Sequence, residues 1–228
     1  MKLTRVGKLR KMKNKITQKS KTTFVFIDAS NLFYGGEKSL GWKIDYQKLL
    51  KYLKKKYDAT ICYYFGGVEI YNYHFDYIKY NSVPLAPVKR HIKLLLSDKK
   101  RKFNEAELLL ASRHLSRIKF YQKLEQFGYK LLLKPVKLYE QEDGSTKRKA
   151  NCDVDMAFYL MKEKNNYDRA IILSGDGDFL PVLKYLKKED KEITILARGS
   201  RTAKEIRQFA GSNFRDFVRL EKYIRFDK

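Results

Sequence analysis

Residues 169–179 read Arg-Ala-Ile-Ile-Leu-Ser-Gly-Asp-Gly-Asp-Phe, and this stretch decides the fold. Ala170 to Leu173 is a short apolar, β-branched run closed by turn residues, the pattern of a strand buried on both faces in a parallel sheet. Asp176 and Asp178 then follow the strand's carboxyl end. A helix is expected to begin near Phe179, because Pro181 falls in its first turn, where a missing N–H costs little. Strand, loop, helix is the repeating unit of an α/β sheet.

Working outward, the same signature recurs upstream. Thr22 to Ile27 is a second apolar run, ending at Asp28 and a loop to Gly36, and a helix from about Asp45 to Tyr57 starts on Asp45 as N-cap. Further strands are expected at Ala59–Phe65, Lys130–Leu133 and Glu192–Leu196. The third can continue through Tyr139 into a hairpin turning at Asp143-Gly144, a pair that tolerates positive φ. Helices are expected at Leu115–Gln126 and Asp153–Lys164, and Phe103–His114 has a helical pattern. Strands alternating with helices imply a central, mainly parallel sheet with helices on both faces, a three-layer α/β/α architecture. Residues 22–228 then form one domain. The interval 66–113 exceeds an ordinary connection and reads as a Tyr/Lys-rich insertion beside the site.

Composition narrows the partner. Fifty Lys and Arg against 26 Asp and Glu give a net charge of +24, more than solubility needs and suited to a polyanion, with nucleic acid first. Residues 1–21 carry nine of those basic side chains and no acid, so they read as a disordered arm contacting nucleic acid, and removing them still leaves +15. Only Cys62 and Cys152 occur, which excludes a disulfide scaffold and fits a reducing cytoplasm. No apolar run has the length of a membrane span, and the basic N-terminus lacks the apolar core of a signal peptide.

The candidate chemistry lies in aspartates at strand ends. Asp28, Asp176 and Asp178 emerge at the carboxyl ends of parallel strands, the edge at which open α/β sheets bind ligands. Asp153, in the segment Asn151-Cys-Asp-Val-Asp-Met156, shares a helix face with Met156 and Ala157, whereas Asp155 points elsewhere and is secondary. Carboxylates gathered at one edge repel one another, and a hard cation with oxygen ligands relieves that repulsion. Asn31 stands three residues from Asp28, in reach of one network or of an Asx turn. Taken alone, Asp153 reads as an N-cap, and it gains its place in the site only through its companions. In Ser174-Gly-Asp-Gly-Asp-Phe179, Gly175 and Gly177 would let the backbone approach a phosphate. Ser174 is secondary too, because no histidine is spaced to activate it as a nucleophile. His74, His91 and His114 show no ligand spacing.

Three segments taken in order, Val25-Phe-Ile-Asp-Ala-Ser-Asn31, Lys149-Ala-Asn-Cys-Asp-Val-Asp-Met156 and Arg169 to Leu196, resemble the NYN domain of the PIN-like nuclease superfamily, its LabA-like group above all. The resemblance runs from about Thr23 to Phe217, with no motif in 66–113. It implies a PIN-like fold and metal-dependent cleavage, mostly of RNA. It further implies Mg²⁺ or Mn²⁺ held by Asp28, Asp153, Asp176 and Asp178, with Asn31 in support. Near the C-terminus Gly211 and Ser212 stand where the family often has an aspartate.

These residues lead to an expected metal-dependent endoribonuclease. The alternatives are an RNA-binding module with little catalysis and a structure-specific DNA nuclease. Contacts to single-stranded or structured RNA are expected from Lys147, Arg148 and Lys149, just before Asp153, and from Arg198 and Arg201 after the last strand. Within the insertion, Tyr71, Tyr73, Phe75, Tyr77 and Tyr80 precede Lys89, Arg90, Lys99, Lys100 and Arg101, a pairing of stacking surface with phosphate neutralisation. The bland alternative, and the favoured one for any single tyrosine, is that the rings pack a small subdomain while the basic run is a solvated helix start. A homodimer is left open.

Overall fold

The structure, a computed structural model, describes residues 21–70, 72–98, 103–140 and 146–227. Residues 1–20 of the basic arm 1–21, the turn at Asp143-Gly144, Tyr71 and the run Lys99 to Lys102 lie outside them.

Six strands form one all-parallel sheet: β1 (Thr23–Asp28), β2 (Ala59–Val68), β3 (Lys130–Pro135), β6 (Arg169–Leu173), β7 (Glu192–Ala197) and β8 (Phe214–Asp216), in spatial order β3-β2-β1-β6-β7-β8. A separate antiparallel ribbon joins β4 (Lys137–Glu140) to β5 (Thr146–Lys149). The expected continuation of the third strand is thus a second strand beyond a break at Val136, whose N–H turns back to the Val68 carbonyl at 3.0 Å. Strand β8 has only three residues, too few for a periodic signal, and escaped the sequence reading.

All six residues of β1 are buried, and their alternation sorts them between two cores. Val25 and Ile27 face α1 (Tyr46–Tyr57), α2 (Leu85–Ser97), α3 (Glu105–Phe127) and the short α7 (Glu221–Ile224), through Leu49, Leu53, Ile92, Ile118 and Ile224. Phe24 and Phe26 face α4 (Asp153–Lys162), α5 (Leu180–Lys188) and α6 (Lys204–Ala210), through Met156, Leu160, Leu183 and Ile206. Three layers result, α/β/α, as expected.

Two helices differ from the sequence reading. Helix α3 is continuous over 23 residues, where two segments met at His114. No Gly or Pro interrupts it. It opens on a reciprocal capping box between Asn104 and Glu107 and stops at Gly128, whose φ of 106° ends it. Helix α2 arises inside the segment read as an insertion. Pro84 caps it and Pro87 lies in its first turn, where prolines are tolerated, so the two prolines start a helix instead of breaking one. Leu85, Val88 and Ile92 bury themselves in the first core, which ties this segment to the main domain. Among the described residues no helix is long and apolar enough to cross a membrane.

Candidate functional site

The strand order reverses between β1 and β6, the switch point at which open α/β sheets place their ligand sites. Register pairs Ile27 with Leu173, so the next residues, Asp28 and Ser174, emerge side by side. Period-2 alternation puts Asp28 on the same face as Phe24 and Phe26, toward the layer that holds α4. Asp28 is only 6% exposed. Its Oδ1 accepts the Ser30 N–H at 2.9 Å, the Ser30 hydroxyl at 2.7 Å and the Asn31 N–H at 3.1 Å, capping the short turn Ala29–Asn31. Its Oδ2 accepts the Ser174 hydroxyl at 3.2 Å. Asn31 therefore reaches Asp28 through its backbone, as an Asx turn does.

The 174–179 segment continues from β6 as a tight loop. Ser174 is buried, and its Oγ accepts the Asp176 N–H at 3.3 Å. Asp176 Oδ1 accepts the Asp178 N–H at 3.0 Å and caps the 3₁₀ turn Gly177–Phe179, while buried Phe179 anchors the turn in the second core. Asp178 is exposed. Packing requires both glycines: a Cβ on Gly175 would lie 2.6 Å from Thr202 Oγ1 and 2.9 Å from Thr202 Cα, and one on Gly177 would overlap Glu205 Oε1. Thr202, just before α6, and Glu205, within it, occupy the side of the loop toward which those Cβ atoms would point. Glu205 thereby brings a further carboxylate to this loop, and its only advance signal was its place after β7.

Asp153 is the first residue of α4, not its cap. The cap is Cys152, which makes no side-chain capping bond, and the Asp153 N–H is bonded by Asn151 Oδ1 at 3.2 Å. The approach of this segment is set by Gly67, where a Cβ would lie 2.6 Å from that of Ala150. Asp155 does not simply face solvent: its Oδ2 lies 2.5 Å from Nζ of Lys134, at the end of β3. The geometry places the charge even though the sequence did not single out Lys134. Burial is the main cause that pushes the Cys152 thiol up to about 12, and Asp155, Asp28 and Asp153 push the same way while Lys134 opposes them. Charged side chains from β1, β3 and α4 thus converge on one buried position.

Among the described residues no three His, Cys, Asp or Glu side chains stand close enough to hold one metal ion. The chemistry of the donors still suits a hard cation, because the Asp28 carboxylate and the Ser174 hydroxyl are bonded to each other at the strand ends and that hydroxyl accepts the backbone N–H of a second aspartate, Asp176.

The basic residues separate. Lys147, Arg148 and Lys149 lie in β5, opposite Tyr139, Leu138 and Lys137. Arg198 is engaged by Asp216, the last residue of β8, at 3.5 Å, and Arg201 is exposed in the turn Gly199–Arg201. Asp216 returns an acid to the sheet edge beyond the turn Gly211–Asn213, but it accepts the N–H groups of Gly199 at 3.0 Å and Val218 at 3.1 Å and ties the edge together. Lys89 donates to Gln122 of α3 at 2.5 Å, and Arg90 is exposed on α2. His114 is buried, with Nε2 3.9 Å from Glu69, away from these acids.

Comparison with known proteins adds the family. The NYN domain model matches residues 22–218. The chain is 22% identical over 204 residues to the low amplitude and bright protein LabA of Synechococcus elongatus, covering 88% of this chain and 86% of that protein. Its fold is similar to that of VPA0982 from Vibrio parahaemolyticus, a protein of unknown function, with a TM-score of 0.57 and 16% identity over 92% of this chain and 99% of that one.

Proposed function

Because this chain belongs to the NYN domain family and has its PIN-like α/β/α fold, we propose that it is a metal-dependent endoribonuclease. The observation that carries the reading is the Ser174 hydroxyl joining Asp28 to the Asp176 loop at the switch point of the sheet, in a chain of net charge +24. A binding surface for a polyanion gains nothing from carboxylates held at that edge, whereas metal-dependent phosphodiester hydrolysis uses them as ligands.

Asp28, Asp153, Asp176 and Asp178 would hold Mg²⁺ or Mn²⁺, which when bound lowers the pKa of a coordinated water and offsets charge on the phosphate oxygens. Ser174 fixes the direction of the Asp28 carboxylate. A carboxylate oxygen of this group takes the proton that the attacking water loses. Lys134, held by Asp155, and the basic residues of β5 neutralise phosphates of the bound strand. RNA over DNA rests on the family resemblance. A cytoplasmic setting rests on two free, buried cysteines, Cys62 and Cys152.

The experiment is cleavage of end-labelled single-stranded RNA and matched DNA with Mn²⁺, Mg²⁺ or EDTA, by the wild type and by Asp176→Asn. Metal-dependent RNA cleavage lost in the variant is the expected result. A second reading, an RNA-binding module without catalysis, draws on one observation: Asp28 and Asp176 each cap a turn and spend an oxygen on backbone N–H groups. Tight RNA binding with no cleavage in any metal would favour it.

A further inference from the structure

The aromatic residues from Tyr73 to Tyr80 part company in the structure. Phe75 is 7% exposed and belongs to the first core, and Tyr73 packs against that core and against the ring of His91. Tyr77 and Tyr80 instead remain 56% and 39% exposed, and Ile78 between them is 98% exposed. An apolar side chain so fully in solvent, flanked by two open rings, packs against nothing among the described residues.

The tip is built and not merely loose. Asp76 Oδ1 accepts the N–H groups of Ile78 at 2.9 Å and Lys79 at 3.0 Å, and the Tyr80 N–H closes onto the Asp76 carbonyl at 3.1 Å. Phase is set from below, since Tyr77 stands edge-on to buried Phe75 with ring centroids 4.8 Å apart. Cations rim it: Lys79 Nζ lies 5.2 Å from the Tyr80 ring and Lys137 Nζ lies 5.2 Å from the Tyr77 ring. Lys137 opens β4 opposite Lys149 of β5, four residues before Asp153. The tip therefore stands at the same sheet edge as the aspartates. Strand β3 is two strands from β1, roughly 10 Å across the sheet.

We propose that Tyr77, Ile78 and Tyr80, with Lys79 and Lys137, form a stacking platform for the unpaired bases of a single-stranded nucleic acid whose backbone runs on toward Asp28 and Asp176. Rings with ammonium groups beside them fit a ligand that carries π faces and phosphates together. A paired strand hides its base faces, so the platform selects single strands. The interval to the aspartates needs only a few nucleotides, within the roughly 4–16 that single-strand binding folds cover. This inference rests on the reading that the partner is nucleic acid, and it does not require cleavage.

The test is fluorescence anisotropy of the full chain with a labelled oligouridine and with a blunt RNA duplex, in EDTA and over a range of salt. Tyr77→Ala with Tyr80→Ala is expected to weaken single-strand binding about tenfold for each ring, to leave the salt slope unchanged and to spare the duplex. Tyr77→Phe with Tyr80→Phe should bind as the wild type, because the faces remain. Lys79→Gln with Lys137→Gln should instead lower the salt slope, by about 0.7 for each phosphate that is no longer neutralised. The proposal is overturned if the double alanine variant, folded by circular dichroism, binds the single strand as the wild type does, which would turn the tip into a surface for a protein partner. Equal losses for single strand and duplex would also overturn it. Ring-dependent binding by a protein that never cleaves would leave the platform standing and remove the nuclease reading alone.

Discussion

Ser174 Oγ lies 3.2 Å from Asp28 Oδ2, across 146 residues of sequence, and accepts the Asp176 N–H at 3.3 Å, so one hydroxyl couples the ends of two adjacent parallel strands. Replacing it by Ala leaves the buried Asp28 oxygen without that donor. Unfolding in urea should show a loss of about 1–3 kcal/mol for Ser174→Ala. If the aspartates act together, metal-dependent cleavage should fall by about tenfold or more with KM little changed. Ser174→Thr, which keeps the hydroxyl, is expected to recover part of both.

Lys134 and Asp155 give a second prediction, about binding. The ammonium is held 2.5 Å from the carboxylate at the end of β3. Lys134→Gln should weaken single-stranded RNA binding in EDTA and reduce the salt slope by about 0.7, the value of one neutralised phosphate on a single strand. Asp155→Asn frees the ammonium and should leave the slope intact. Equal slopes for Lys134→Gln and the wild type would show that Lys134 serves only its ion pair.

Gly175 tests the packing of the aspartate loop. Its Cβ position is 2.6 Å from Thr202 Oγ1 and 2.9 Å from Thr202 Cα, so Gly175→Ala must displace backbone as well as a side chain. A cost of about 1–3 kcal/mol is expected, which for a chain of this size lowers Tm by about 2–4 °C per kcal/mol. Pairing it with Thr202→Gly should restore part of the loss, and a thermal melt of both variants checks this.

Cys62 carries a prediction in pH. Burial in β2 raises its thiol from an ordinary value of 9 to about 12, with Lys54 opposing the shift. A raised acid binds its proton more tightly in the folded state. Its contribution to stability is therefore complete below about pH 9 and is lost as pH rises through about 12. Cys62 should resist a thiol-specific reagent at pH 8 in the native protein and react at once when the chain is unfolded in denaturant. Rapid reaction in the native state would show that the sheet opens at β2.

Much of the architecture was legible because it is written in local pattern. The runs at Val25 and Ile171 are continuous because both faces of each strand are covered, and the aspartates that close them fall at one edge because the strands are parallel. Where pattern was ambiguous the reading slipped for physical reasons. Pro84 and Pro87 look like breakers until a first turn accepts them. His114 looks like a boundary, although only Gly128 supplies the positive φ that ends the helix. Among the tyrosines of 71–80 the sequence could not tell core from surface, because alternate rings along an irregular segment are sorted by what packs beneath them.

The sequence by itself determined the parallel α/β class, the strand ends that carry Asp28, Asp176 and Asp178, and the excess of positive charge, since each follows from side-chain periodicity, turn chemistry or simple counting. Only the tertiary structure decided that Asp28 meets Ser174, that Thr202 and Glu205 fill the space above Gly175 and Gly177, and that Lys134 reaches Asp155. Those relationships join segments tens to more than a hundred residues apart. Strand register and the close approach of one backbone to another fix them, and neither is encoded in any single stretch of the chain.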